Sequence, residues 1–305
     1  MRYNFQFDIV KHRRKFFALS IIITILGLLS LAIFNLNYGV DFKAGTNFDI
    51  NVGQTTDQAK ARDVLTQAGY TPASPPTIGG TNSDRVTVRF DKVMSQEDET
   101  KIGAAFKSAY GDQVSMEVNT VDTEIAREMG RNAIIAVLVS TIGIVIYVSI
   151  RFEWRFAIAA IVALLHDAFI VVSLFSIFRL EVNLPFIAAV LTIIGYSIND
   201  TIVIFDRVRE NLRFAKLKTF QDLADLVNRS IWQTLTRSIN TVVTVLIAAL
   251  CLFIFGSPAI RLFSLAMIFG LISGTYSSVF IASPIWLVLK NRSLGSKAAN
   301  AAVEK

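Results

Sequence analysis

The sequence predicts an α-helical membrane protein: six transmembrane helices, with an α+β ferredoxin-like domain between the first and second. Three observations lead there. Six apolar segments are each long enough to cross a hydrocarbon core of about 30 Å. A charged stretch, 35–131, separates the first from the rest. Basic residues gather in alternate linkers, as the positive-inside rule requires. Composition agrees: 53% of residues are apolar and 18% charged, against about 25% charged in an ordinary soluble domain.

Residues 1–15 form a polar, cytoplasmic N-terminus ending in Lys11-His12-Arg13-Arg14-Lys15. The first span, 16–34, is too long for a signal-peptide apolar region, and Asn35-Leu36-Asn37 follows it where a small-residue cleavage site would stand. It is expected to be a retained helix. Residues 35–131 hold 14 acidic and 10 basic residues and read as an extracytoplasmic domain. Thr46–Val52 alternates as a strand does. Thr55-Thr56-Asp57-Gln58 can cap a helix that Gly69 stops. Thr71–Gly80 carries three prolines and two glycines and is mostly turn, with room for one short strand. Arg85–Phe90 is a second alternating strand, Ser95-Gln96-Glu97-Asp98 opens a second helix, and Val114–Val121 is a last strand. The order βα(β)βαβ is that of the split βαβ unit.

The remaining spans are placed at 132–150, 156–178, 184–205, 239–256 and 262–289, with a cytoplasmic tail at 290–305. Arg151 and Arg155 occupy one linker, and Arg207, Arg209, Arg213, Lys216, Lys218, Arg229 and Arg237 another. Lys290, Arg292, Lys297 and Lys305 follow the last span, whereas the opposite linkers hold only Arg179 and Arg261. The basic side is read as cytoplasmic, with both termini there. The linker 206–238 is too charged to span. Leu223, Leu226, Val227, Ser230 and Ile231 fall at helical spacing, which predicts a separate helix lying at the cytoplasmic face. In the last span Ala266, Gly270, Gly274, Ser278 and Ala282 recur every four residues, a pattern that lets membrane helices approach closely.

Polar residues inside the spans are the candidate site. A carboxylic acid at mid-span costs about 2.5–3.5 kcal/mol on insertion scales. Such residues face protein or water and mark ion or proton paths. Asp200 lies in the fourth span, preceded by Asn199. His166 and Asp167 lie in the third; neighbours on a helix point about 100° apart, so the two are not expected to share one partner. Arg237 opens the fifth span on a polar face with Thr234, Ser238 and Thr241, and can pair with and release an acid. Asp200, Arg237, Asp167, His166 and Asn199 are therefore the proton-pathway candidates, and Gly270 and Gly274 the packing candidates. The lone Cys251 permits no internal disulfide, and the two histidines, His12 and His166, make no metal-ligand pattern. No enzyme motif, nucleotide loop or cofactor site is found. The net charge of +6 clusters beside apolar runs, which points to membrane rather than nucleic acid.

Four stretches carry a resemblance. They are Tyr38-Gly39-Val40-Asp41-Phe42-Lys43-Ala44-Gly45, Leu164-Leu165-His166-Asp167, Gly195-Tyr196-Ser197-Ile198-Asn199-Asp200-Thr201 through Arg207-Val208-Arg209-Glu210-Asn211, and Thr234-Leu235-Thr236-Arg237-Ser238-Ile239-Asn240-Thr241. Together they resemble the SecF branch of the SecD/SecF protein-export family, within the RND superfamily. Ala44 stands where that family usually shows a second glycine. The resemblance implies an RND-type half bundle paired with that of SecD in the bacterial inner membrane. It implies work beside the SecYEG channel with SecA, proton flow acting on a translocating preprotein, and family acid and arginine positions at Asp200 and Arg237. Two other readings fit parts of the sequence: an RND-type small-molecule efflux half-transporter, and a structural scaffold of a membrane complex.

Overall fold

The computed structural model describes residues 7–80, 82–215, 217 and 219–291. Lys216, Lys218, Arg292, Lys297 and Lys305, and with them nearly all of the expected tail, lie outside the described residues. The chain runs α1 (Arg13–Phe34), β1 (Asn37–Tyr38), α2 (Val40–Lys43), β2 (Gly45–Asn51), α3 (Gln58–Gln67), β3 (Thr77–Gly79), β4 (Arg85–Phe90), α4 (Gln96–Tyr110), β5 (Ser115–Val121), α5 (Thr123–Arg151), α6 (Trp154–Ile177), β6 (Glu181–Val182), α7 (Leu184–Phe214), α8 (Phe220–Phe255) and α9 (Pro258–Ser277). A π-helical turn, Ser278–Ala282, continues α9, and the helix then runs on to Asn291. Six helices are long and apolar enough to cross a membrane.

The sheet domain has strand order β3-β4-β2-β5, every neighbour antiparallel. This is the split βαβ arrangement. Phe48 and Ile50 of β2 and Val86 and Val88 of β4 alternate onto one face and are buried with Ala61 and Leu65 of α3 and Ile102 and Phe106 of α4. Both helices start where their caps dictate. Asp57 accepts from the Lys60 amide, and Ser95 and Asp98 form a reciprocal capping box.

In the bundle α6, α7 and α9 pack on one another, α1 lies against α6, and α8 lies against α7 and α9. Close approach of α7 and α9 rests on glycine. A side chain at Gly270 would overlap Ile193, and at Gly274 it would come within 3.2 Å of the Ser197 Cβ. Ala266, Ser278 and Ala282 complete a fully buried stripe. The apolar rows of α1 and α5, such as Ile21, Ile22, Leu138 and Val139, remain exposed, as lipid-facing surfaces do.

Helix boundaries depart from the sequence reading in two places. Among the described residues, 206–238 holds no separate surface helix. Instead α7 continues to Phe214, and α8 begins at Phe220 and runs unbroken through the fifth span. No glycine or proline interrupts 220–255, so the change in polarity near Arg237 is not a break in the backbone. Leu223, Val227, Ser230 and Ile231 are fully buried in the bundle rather than laid on a membrane surface. Likewise α5 starts at Thr123, capped by Asp122, so the last strand of the sheet domain feeds directly into the second span.

The sheet domain is also sewn to the bundle beside α7. β1 and β6 pair in parallel, Asn37 with Glu181 and Tyr38 with Val182, and the Gly39 amide donates to the Val182 carbonyl at 2.8 Å. The Glu181 carboxylate leaves no room for a side chain at Gly39, since a Cβ there would lie 2.5 Å from Oε1. Burial pushes the Glu181 carboxyl above its ordinary range. Arg89 draws it back, and Asp41 and Asp91 push it further up. Asp41 of α2 accepts from the Leu184 amide at 2.8 Å, satisfying a first-turn N–H of α7. Ala44, which closes α2, sits at φ +66° and ψ 159°. Only glycine adopts that region without strain.

Gly270→Ala is expected to lower bundle stability by about 1–3 kcal/mol, because Ile193 has no space to yield. Thermal unfolding in detergent reads this directly; a neutral result would mean that α7 and α9 can separate freely at this point.

Candidate functional site

The polar residues of the bundle gather where α6, α7, α8 and α9 meet. Asp167 of α6 is 1% exposed and accepts from three hydroxyls. Ser197 of α7 donates at 2.5 Å and Ser277 of α9 at 2.6 Å to Oδ2, and Ser273 of α9 donates at 2.7 Å to Oδ1. His166 Nδ1 lies 3.2 Å from the same Oδ1. Hydrogen bonds to a charged group contribute about 1.5–3 kcal/mol each. Three of them offset the insertion cost of the acid, so Asp167 is a satisfied carboxylate that ties three helices together. His166 turns its ring onto Tyr276, with centroids 6.2 Å apart, and its Nε2 is buried without a hydrogen-bond partner. Both residues therefore pack against α9, although adjacent positions on a helix diverge.

Asp200 is built differently. It is 6% exposed, and its neighbours across the interface are Ser238 and Arg237 of α8. The buried Ser238 hydroxyl faces the carboxylate as a loose donor, short of strict hydrogen-bond geometry. Arg237 is near enough for its charge to act on Asp200, yet no ion pair joins the two among the described residues. A narrow cleft between α7, α8 and α9 reaches Asp200; its lining is mainly apolar, with hydroxyl-bearing Tyr196, Ser197, Thr241 and Thr275 among the residues around it. One side of the α7 acid thus meets a gap rather than a partner. Behind it, Thr201 and Ser278 share a hydrogen bond of 2.8 Å. That bond falls where α9 widens into the π turn, and single π turns in membrane and soluble helices recur at functional sites.

The structure brings Asp200, Arg237, Asp167 and His166 to one region of the bundle, with Gly270 and Gly274 lining the same cleft. It does not bring Asn199, which is exposed on another face of α7. Sequence reasoning passed over Ser197, Ser273 and Ser277. The available signal was spacing: Ser197 lies three residues before Asp200, and the two α9 serines lie four apart beside the small-residue stripe.

With the geometry in place, comparison with known proteins is direct. The family model described as "Protein export membrane protein SecD/SecF, C-terminal" matches residues 101–292. The chain belongs to the SecD/SecF family. It is 46% identical to the "Protein translocase subunit SecF" of Alicyclobacillus acidocaldarius, across 96% of this chain and 98% of that protein. It is 45% identical to the "Protein translocase subunit SecDF" of Bacillus subtilis, across 96% of this chain but only 40% of that protein. The crystal structure of SecDF from Thermus thermophilus superposes with a TM-score of 0.83 at 34% identity, over 95% of this chain and 40% of that one. Membership gives this multi-pass membrane protein a role in Sec protein export, and it supports the expected fold of six spans with an α+β domain.

Asp167→Ala strands the Ser197 and Ser273 hydroxyls, while Ser277 keeps the Gly274 carbonyl, and is expected to cost about 2–4 kcal/mol of stability. Asp200→Ala strands no closed hydrogen bond and is expected to cost less. Thermal unfolding of the two variants side by side tests the ordering; equal losses would show that Asp200 is also held by bonds.

Proposed function

We propose that this chain is one half of a proton-driven export motor in which Asp200 is the group that takes up and releases the proton. The observation that carries the reading is the environment of Asp200: a buried carboxyl lining a narrow, mainly apolar cleft, beside an arginine that it does not grip. A buried acid without fixed partners can exist in both protonation states, and a cleft gives water a way to it. When Asp200 is ionised it attracts Arg237; when it is neutral that attraction vanishes and α7 is free to shift against α8.

SecD is the proposed partner. Arg237, Asn240 and Thr244 form an exposed polar row on α8. Polar side chains at membrane depth need protein or water rather than lipid. A like bundle laid on α8 supplies both. The two SecDF relatives extend well beyond the length of this chain, which fits a motor made from two such halves. Placed beside the SecYEG channel and SecA in the bacterial inner membrane, with both termini cytoplasmic, the sheet domain faces the emerging preprotein. One charge crossing 100 mV releases about 2.3 kcal/mol, and repeated protons supply enough to bias the swing of that domain. Membership in an export family leaves the efflux reading without support. A purely structural scaffold gives no purpose to an acid left without bonds.

The motion has a built route. Asp200 and Leu184 sit on the same rigid helix, and Leu184 is bonded to Asp41 at the root of the sheet domain. In vesicles containing the chain with SecD, Asp200→Asn is expected to abolish both proton conductance and proton-dependent export. Export at the native rate under a maintained gradient would sink the proposal. Asp41→Ala is expected to leave proton conductance intact while export falls several-fold, because the proton step would no longer reach the domain. Parallel loss of conductance and export in that variant would instead make Asp41 part of the bundle's own architecture.

A further inference from the structure

We propose that Asp167 is a second proton-carrying carboxyl, and that the Ser197 hydroxyl is the link through which it exchanges a proton with the cleft holding Asp200. This rests on the reading of Asp200 as the site of proton uptake and extends the path beyond it. Ser197 belongs to both places. Its Oγ lies 2.5 Å from Asp167 Oδ2, and it also lines the cleft that reaches Asp200. Ser197 and Asp200 stand three residues apart on α7, so their side chains leave the same side of the helix. Asp167 itself does not line the cleft. Any proton passing between the two acids by hydroxyls has Ser197 as its bridge.

The cage around Asp167 suits both protonation states. As an anion the carboxylate accepts on both oxygens, from Ser197 and Ser277 on Oδ2 and from Ser273 on Oδ1, with His166 Nδ1 also at Oδ1. When Oδ2 is protonated it becomes a donor, and one of the hydroxyls must turn. Ser277 already has a second acceptor, the Gly274 carbonyl at 3.2 Å, and the Ser197 oxygen can accept. With Ser277 turned to the Gly274 carbonyl, Oδ2–H can donate to the Ser277 oxygen while Ser197 and Ser273 keep their bonds to the carboxyl. An acid placed only to pin helices needs no such alternative.

The transfer is balanced. A proton leaves the Asp200 carboxyl and passes by cleft water to the Ser197 oxygen. At the same time the Ser197 O–H bond breaks and its proton bonds to Asp167 Oδ2. Asp200 ends as the carboxylate, Asp167 as the acid, and Ser197 as it began. His166 then offers an onward step, since Nδ1 faces the carboxyl and Nε2 is buried without a partner beside the Tyr276 ring. The titratable and charged groups facing this path are His166 from α6, Tyr276 from α9 and Arg237 from α8; otherwise α7 and α9 present hydroxyls.

The test uses the full chain with its SecD partner in vesicles, following proton flux and, by infrared difference spectroscopy after a pH step, the carbonyl bands of protonated carboxyls. Two bands are expected, one lost in Asp167→Asn and the other in Asp200→Asn. Ser197→Ala should slow flux and the appearance of the Asp167 band at least tenfold while leaving the Asp200 band in place. Ser273→Ala removes a cage hydroxyl that does not line the cleft, and should slow flux far less. The proposal is overturned if Asp167 shows no protonated band at any pH, if Ser197→Ala conducts at the native rate, or if the two serine variants lose flux equally, which would make the cage structural. Native conductance in Asp200→Asn together with a titrating Asp167 band would overturn the reading of Asp200 alone.

Discussion

A carboxylate inside a membrane must be answered by protein, and the bundle is arranged around the answer given to Asp167. Its two oxygens collect hydroxyls from α7 and α9 while the residue itself sits on α6. Among the described residues no other carboxylate hydrogen-bonds from its own span to two more at distances this short. The demand is geometric as well as electrostatic. A serine side chain reaches only about one bond length from its Cβ, so α7 and α9 must come close for Ser197, Ser273 and Ser277 to converge on one acid. Gly270 and Gly274 make that approach possible, since a Cβ at either would meet α7 first. The small-residue stripe and the buried acid are therefore one device rather than two.

The contrast between the two acids is what gives the bundle a direction. Asp167 has its bonds closed; Asp200 has a cleft on one side and two α8 residues on the other that stop short of bonding it. Their insertion costs are the same, about 2.5–3.5 kcal/mol each. Only one is offset by fixed donors. The other must be met by water, by a shift of α8, or by a proton, and each of those is a change of state. The π turn at Ser278–Ala282 lies beside this region and widens α9 just where Ser278 meets Thr201. A helix with a non-standard turn at that level has a register that can be adjusted without breaking a whole rung of bonds.

Much of this was legible in the sequence because the signals were large. Insertion cost marks Asp167 and Asp200, alternation marks Arg85–Phe90, and a capping box at Ser95 and an Asp57 cap mark the helices of the sheet domain. What was not legible has a common cause: the signal is either cheap or nonlocal. Serines are ordinary in membrane helices, so nothing in Ser197, Ser273 or Ser277 alone announces a shared acceptor. β1 and β6 are two residues each and pair across more than 140 positions, beyond any local pattern. The α8 boundary differs from the sequence expectation because a change in polarity is not a break in a helix. Residues 220–238 are polar enough to leave the membrane, but nothing in them ends a helix. Asn199 was drawn in by its neighbour; one residue along a helix is a quarter-turn away, and it faces outward.

The unbroken helices matter most for what the sheet domain can feel. At 1.5 Å per residue, the sixteen positions from Leu184 to Asp200 span about 24 Å of a single helix. Such a helix transmits a tilt rather than absorbing it, for it has no glycine hinge against a neighbour's backbone: Gly195 has open space around it, and the i→i−4 bonds run through. At the far end the first turn of α7 is held by the Asp41 carboxylate and by the β1–β6 pair. On the other flank α5 leaves β5 with only Asp122 between them, and Asp122 caps the helix it begins. The domain is thus clamped to two spans, one carrying the acid and one not. In the proposed mechanism, a shift of α7 that α5 does not share would turn the domain about these two attachments. A loose loop at either connection would absorb the change at Asp200 that the proposal requires the domain to feel.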